Sequence, residues 1–183
     1  TRRPNRKPDF ISDQVRDGRY YFFDLTPGPT TGIAVVCGGW EACSPAYHNA
    51  RDDFPYLSLE FVAAGRGRLV LAGERHVLRA GDLFHYGPGV PHEIHTSAAE
   101  PLEKYFVDFV GDAAERLLHG APFNQRQPLQ VPDPTVIRSL FEDLHTDGTS
   151  ASSRAARLCA VTVELLLLRV AETGANAEGR RSL

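Results

Sequence analysis

The sequence predicts a mainly β protein, an antiparallel barrel followed by C-terminal helices, and three observations carry that prediction. From Arg19 to Gly111, short runs rich in β-branched and aromatic residues alternate with glycine, proline or charged turns, at the spacing of about ten residues expected of a barrel or sandwich. Beyond Gly111 the apolar period becomes helical. The chain has 183 residues, which suits one compact domain able to bury a real core.

Residues 1–18, "TRRPNRKPDFISDQVRDG", are basic, contain proline and lack an apolar period; they read as an N-terminal arm or as a disordered tail. Residues 19–111 form the barrel, through "RYYFFDL", "TGIAVVCGGW", "YLSLEFVAAG", "GRLVL", "RHVL", "DLFHY", "HEIHT" and "EKYFVDFV". "LAGERH" joins two of these runs as a hairpin. Residues 112–183 are helical. The first helix, "DAAERLLHG", has Asp112 as a candidate N-cap and Gly120 as terminator, and a linker rich in proline and glutamine follows. In the second, Asp133 caps, Pro134 fits the first helical position, and Ile137, Leu140, Phe141 and Leu144 make one apolar stripe.

The last helix runs from about Ser152 to Thr173 and carries two apolar lines. Leu158, Val161, Leu165 and Leu168 form one seam, and Cys159, Val163, Leu166 and Val170 form the adjacent one. One line can pack on the barrel while the other awaits a partner, so the first seam is the expected homodimer interface. The alternative buries both lines within the monomer.

Composition excludes several functions. A formal charge of −3 does not suit a chain that coats nucleic acid on its own. Cys37, Cys43 and Cys159 are too few and scattered for a disulfide framework, so a reducing cytoplasm is expected. There is no secretory signal, and the run around Leu165 to Leu168 is too short to span a bilayer. The sequence contains no methionine, which leads us to expect a piece of a longer protein.

The stretch "GDLFHYGPGVPHEIH" places His85, His92 and His95 around a glycine-proline-glycine turn. It is similar to the second motif of the cupins: Gly87 replaces the usual first proline, while Pro88, Gly89 and His92 match. The first cupin motif, a His-x-His pair followed by glutamate, is missing. His48, Glu60 and His92 are the candidates left for a metal site, at irregular spacing. No metal or other cofactor is expected. His95 lies three residues beyond His92, so on a strand the two face opposite sides. Trp40, the sole tryptophan, is either a stacking platform for a sugar or a core residue.

Taken together, "YLSLEFVAAGRG", "LRAGDLF", "GPGVPH" and "KYFVDFVG" resemble the N-terminal sensor domain of AraC-family transcription regulators over most of Arg19 to Gly111. The resemblance implies a cupin-type jelly roll, a small effector such as a sugar in the barrel, and dimerisation through the last long helix. DNA would be read only by a C-terminal helix-turn-helix domain that this sequence does not contain. Carried over by position, the ligand-binding candidates are His48 or Arg51, then His92 and Ile94, then Lys104 and Phe106. Strand alternation adds Glu60, which shares a face with Tyr56 and Ser58, and it groups Lys104, Phe106 and Asp108 on one face that lines a pocket or meets water. The expectation is a non-enzymatic sensor without catalytic residues, whose arm folds over its effector. The rivals are a metal-dependent isomerase or dioxygenase and an inert dimerisation module with a filled barrel.

Overall fold

The computed structural model describes residues 7–119 and 126–181, with side chains described as far as residue 172. Residues 1–6 of the arm, the Gly120 terminator and residues 121–125 of the linker lie outside the described residues. Two antiparallel sheets face each other. The larger comprises β1 (Val15–Phe22), β2 (Ala34–Cys43), β4 (Leu57–Ala64), β7 (Asp82–Tyr86), β9 (Glu103–Val110) and β10 (Leu129–Gln130), in the order β1-β2-β9-β4-β7-β10. The smaller comprises β3 (His48–Arg51), β5 (Arg66–Leu71), β6 (Glu74–Arg79) and β8 (His92–Thr96), in the order β3-β8-β5-β6. Their backbone ladders remain separate, so the expected barrel is an unclosed jelly roll.

Local chemistry accounts for the turns. Between β5 and β6, Leu71 pairs with Glu74 across Ala72 and Gly73, whose φ angles are 50° and 84°. Two positive angles make the tight mirror-image turn that matches strand twist. At the "GPGVPH" corner, Gly89 has φ 76° and its N–H donates to Asp53 Oδ1 at 2.7 Å, a conformation that suits glycine.

Each face of the large sheet is covered. Leu57, Leu59 and Phe61 of β4, with Tyr105, Val107 and Phe109 of β9, pack outward against the helices α2 (Pro134–Thr149) and α3 (Ala155–Arg181). Phe61 stacks on Phe141 at 6.1 Å. Asp133 Oδ1 accepts from the N–H groups of Thr135 and Val136 at 3.1 and 3.3 Å, with Pro134 following as the sequence predicts. Cys159, Val163, Leu166 and Val170 are buried in the same layer, whereas Leu158, Val161, Leu165 and Leu168 are 41–48% exposed. A short helix, α1 (Asp112–His119), completes the layer through Ala114 and Leu118.

Four elements differ from the sequence reading. β1 begins at Val15, inside the segment expected as arm, because Val15–Phe22 pairs along β2. β3 and β10 are additional: one has four polar or small residues and the other only two residues, so neither shows alternation. The last helix starts at Ala155, since the Ser152 hydroxyl accepts from the Arg154 N–H at 3.1 Å and holds the chain in a cap there.

Candidate functional site

Strand parity sends the other face of the large sheet into the space between the sheets. On β9 that face is Lys104, Phe106 and Asp108; on β4 it is Ser58, Glu60 and Val62. The possibility that the β9 set is a solvated face is ruled out, since Lys104 is 3% and Asp108 2% exposed. Glu41 of β2 lies directly across from Lys104 in the ladder, and Glu60 stands one step diagonal to it, opposite Phe106. The Lys104 ammonium therefore sits between two carboxylates, 2.9 Å from Glu41 Oε2 and 3.0 Å from Glu60 Oε2. Tyr86 donates to Glu60 Oε1 at 2.6 Å and Tyr20 to Glu41 Oε1 at 3.2 Å. Each carboxylate thus has the ammonium at one oxygen and a tyrosine hydroxyl at the other, the kind of pairing that keeping charge inside a protein requires.

Electrostatics follow from this geometry. Burial alone would lower the Lys104 pKa, but Glu41 and Glu60 outweigh it and hold it well above the ordinary lysine value. Burial pushes Glu60 up, yet Lys104 and the Tyr86 hydroxyl prevail and keep it below the usual carboxylate range. Asp108 has no ammonium partner among the described residues. Burial raises its carboxyl to about 7, despite Ser58 and Cys37 beside it, which favour the ionised form. The Cys37 thiol lies 3.2 Å from Asp108 Oδ2.

The arm closes the mouth of this hollow. Phe10, Ile11 and Ser12 line it together with Arg51, Phe54, Glu60, Lys104 and Phe106. Arg51 donates to the Phe10 carbonyl and stacks on Phe54 at 4.8 Å, while Phe10 packs edge-on against Phe54 and Tyr56 at 5.6 and 5.8 Å. Only about 20 Å³ of cavity remains, room for a water and far below the roughly 300 Å³ or more of a typical ligand pocket. The disordered-tail reading is thereby corrected for residues 7–18, which are packed against the hollow or paired in β1.

Of the sequence candidates, Arg51, Glu60, Lys104 and Phe106 are brought together around this one cavity. His92 is a near neighbour, buried and stacked on Tyr86 at 3.6 Å. Its Nδ1 lies 3.2 Å from the Val90 carbonyl, and its Nε2 has no hydrogen-bond partner among the described residues. Burial lowers its pKa and favours the neutral ring, whose open nitrogen is then an acceptor. Ile94 shares the inward face of β8 but belongs to the apolar end, with Leu69, Leu71 and Leu102. His48 is on the wrong side: β3 turns Asn49 and Arg51 inward, leaving the His48 side chain 46% exposed beside Glu93. Trp40 packs with the helix-covered core, under Arg19 at 5.2 Å, away from the hollow. Sequence reasoning missed Glu41 and Tyr47 of the lining; the available signal was that Glu41 shares strand parity with the buried Cys43.

The cupin fold implies a metal inside, and the residues present do not fit one. His48 is separated from Glu60 and His92 by the sheet. Glu60 is already engaged by an ammonium and a hydroxyl, so Lys104 supplies the cation of this interior.

Among the solved structures similar to the chain, three illustrate the likeness. The plu4264 protein from Photorhabdus luminescens is 20% identical, covers 56% of this chain and 84% of its own, and superposes with a TM-score of 0.40. The Cupin_2 domain of an XRE-family transcriptional regulator from Enterobacter cloacae is 12% identical over 43% of this chain and 81% of its own, with a TM-score of 0.36. Salicylate 1,2-dioxygenase from Pseudoaminobacter salicylatoxidans is 16% identical over 56% of this chain and 26% of its own, with a TM-score of 0.41. At these values none bears on what this chain binds. No curated protein matches the sequence. The model of the AraC-like ligand-binding domain matches residues 37–167, well over half the chain and running from within β2 to within α3, and the chain belongs to that family.

Proposed function

We propose that this domain is the effector-sensing part of a transcription regulator, and that its effector is a small polyhydroxylated molecule, a sugar, held between the two sheets. The observation that carries the reading is the buried set of Glu41, Glu60, Lys104 and Asp108 lidded by the arm. A hydroxyl both donates and accepts, so it can satisfy carboxylates, the Lys104 ammonium and the open His92 nitrogen in turn, while the Phe106 and Phe54 rings offer apolar contact. Deoxy analogues would leave such buried groups unpaired and bind less well.

Because so little cavity remains beneath Phe10 and Ile11, the effector must displace them, which costs the Arg51 bond to the Phe10 carbonyl. Binding and arm position are then coupled, since the ligand prefers the displaced arrangement. The exposed line of Leu158, Val161, Leu165 and Leu168 is the surface a second copy would cover, allowing the arm to act on a dimer that presents DNA-binding domains. We place the protein in the cytoplasm; no helix among the described residues is long and apolar enough to cross a membrane.

A thermal-shift screen of pentoses and hexoses tests this reading. A sugar that raises Tm in a concentration-dependent way, and does so less for Glu60→Gln, supports it. A sugar whose effect is identical in Glu60→Gln and Lys104→Met does not use the hollow, and the proposal fails.

A further inference from the structure

A second cluster of donors lies on the outer face of the small sheet, across the strands from the hollow. β3 and β8 pair so that His48 stands directly opposite His95, and Glu93, one alternation step along β8, shares their face. The two imidazoles stack at 4.0 Å with 10° between their planes. Both Nε2 atoms are directed at one carboxylate oxygen, Glu93 Oε1, at 2.9 Å from His48 and 2.6 Å from His95. One donor atom from each residue falls within 4.8 Å of the other two. The side chains are 46%, 38% and 31% exposed for His48, Glu93 and His95, so an ion can reach them without opening the fold.

We propose that His48, Glu93 and His95 form a surface site for a late first-row divalent cation of the zinc class. Two imidazoles and a carboxylate are the donors such ions prefer over magnesium or calcium, which favour all-oxygen shells. Zinc bonds of about 2.0–2.2 Å at tetrahedral angles place donors about 3.4 Å apart. Nitrogens already flanking a single oxygen reach that spacing by side-chain torsions alone. The backbone beneath is a hydrogen-bonded pair of strands, which holds the donors in register before an ion arrives. Binding replaces the hydrogen bonds to Glu93 with three bonds to metal and leaves the fourth position to water, with loss of any proton on the coordinating nitrogens. Competing thiolates are removed from play, because Cys37, Cys43 and Cys159 are all buried.

The site is independent of the effector reading, and its test uses zinc chloride alone. Calorimetric titration of the whole 183-residue chain in a non-chelating buffer should give saturable one-to-one binding. His48→Ala and His95→Ala should each weaken it by about tenfold or more, whereas His76→Ala, at a histidine bound instead to the Arg126 carbonyl, should leave it unchanged. Exposed positions make folding failure an unimportant confounder, and circular dichroism of each variant checks it. Absence of saturable binding in the parent chain, or binding that persists undiminished in His95→Ala, would overturn the proposal.

Discussion

Replacing Asp108 with asparagine should change how stability depends on pH. Asp108 is 2% exposed, and its carboxyl titrates near 7 rather than 3.8. A folded-state value raised in this way means that the fold prefers the protonated acid. That stabilisation is complete below about 3.8 and is withdrawn as pH rises through about 7. At about 1.4 kcal/mol per pKa unit, a shift of this size amounts to about 4 kcal/mol once the group is ionised, of which about 3 kcal/mol falls between about pH 5 and about pH 8. Glu60 and His92, both held below their ordinary values, act in the opposite sense, since their stabilisation disappears as pH falls. The wild-type curve therefore mixes signs, and the informative quantity is the difference between Asp108→Asn and wild type. Urea denaturation across this range should show that difference moving in favour of asparagine by about 3 kcal/mol as pH rises. A difference that stays flat would mean that Asp108 ionises as it does in water, and so that the hollow is open.

Lys104→Met should destabilise the fold by about 3–5 kcal/mol at neutral pH, because it strands two buried carboxylates; adding Glu41→Gln and Glu60→Gln should recover part of the loss, read from denaturation midpoints. Ile11→Ala should tighten effector binding by relaxing the lid, visible as a lower Kd by calorimetry, and an unchanged Kd would disconnect the arm from the hollow. If the exposed seam pairs two copies as proposed, Leu165→Asp, at a position 41% exposed in the single chain, should sediment as a monomer where the parent sediments as a dimer, and a parent that is itself monomeric would refute the pairing. Asp133→Ala should cost about 1 kcal/mol through loss of the α2 cap, and a negligible change would show that packing alone holds that end.

The jelly roll was legible where alternation and turn chemistry coincide. β7, β8 and β9 occupy the positions of "DLFHY", "HEIHT" and "EKYFVDFV", and Asp133 and Pro134 mark the start of α2. β3 was hidden because "HNAR" has no apolar residue larger than alanine and its inward members are polar. That omission also left His48 unresolved: the resemblance, carried over by position, offered His48 or Arg51 for the pocket, and only the parity of β3 separates them, turning His48 outward. Lys104 and Glu60 were found, but their direction was not, because both faces of the large sheet are covered and either set could have met the core. Glu41 escaped because the recognised run closed at Trp40, whereas β2 continues to Cys43. The way residues 7–14 fold across the hollow depends on contacts such as Arg51 with Phe10, which leave no periodic trace.

On the proposed function, the effector enters between the sheets, behind Phe10. A larger recess of about 700 Å³ lies elsewhere, between the segment around Phe23 and Pro27 and the start of α3 at Ala156 and Arg157, and it provides the contrast. A crystal structure of the chain with the sugar that most raises its Tm should place the ligand beside Lys104, Glu60 and Arg51, with Phe10 displaced. Density for that sugar in the recess against α3, with Phe10 and Ile11 still seated over Lys104, would show that the effector does not bind between the sheets.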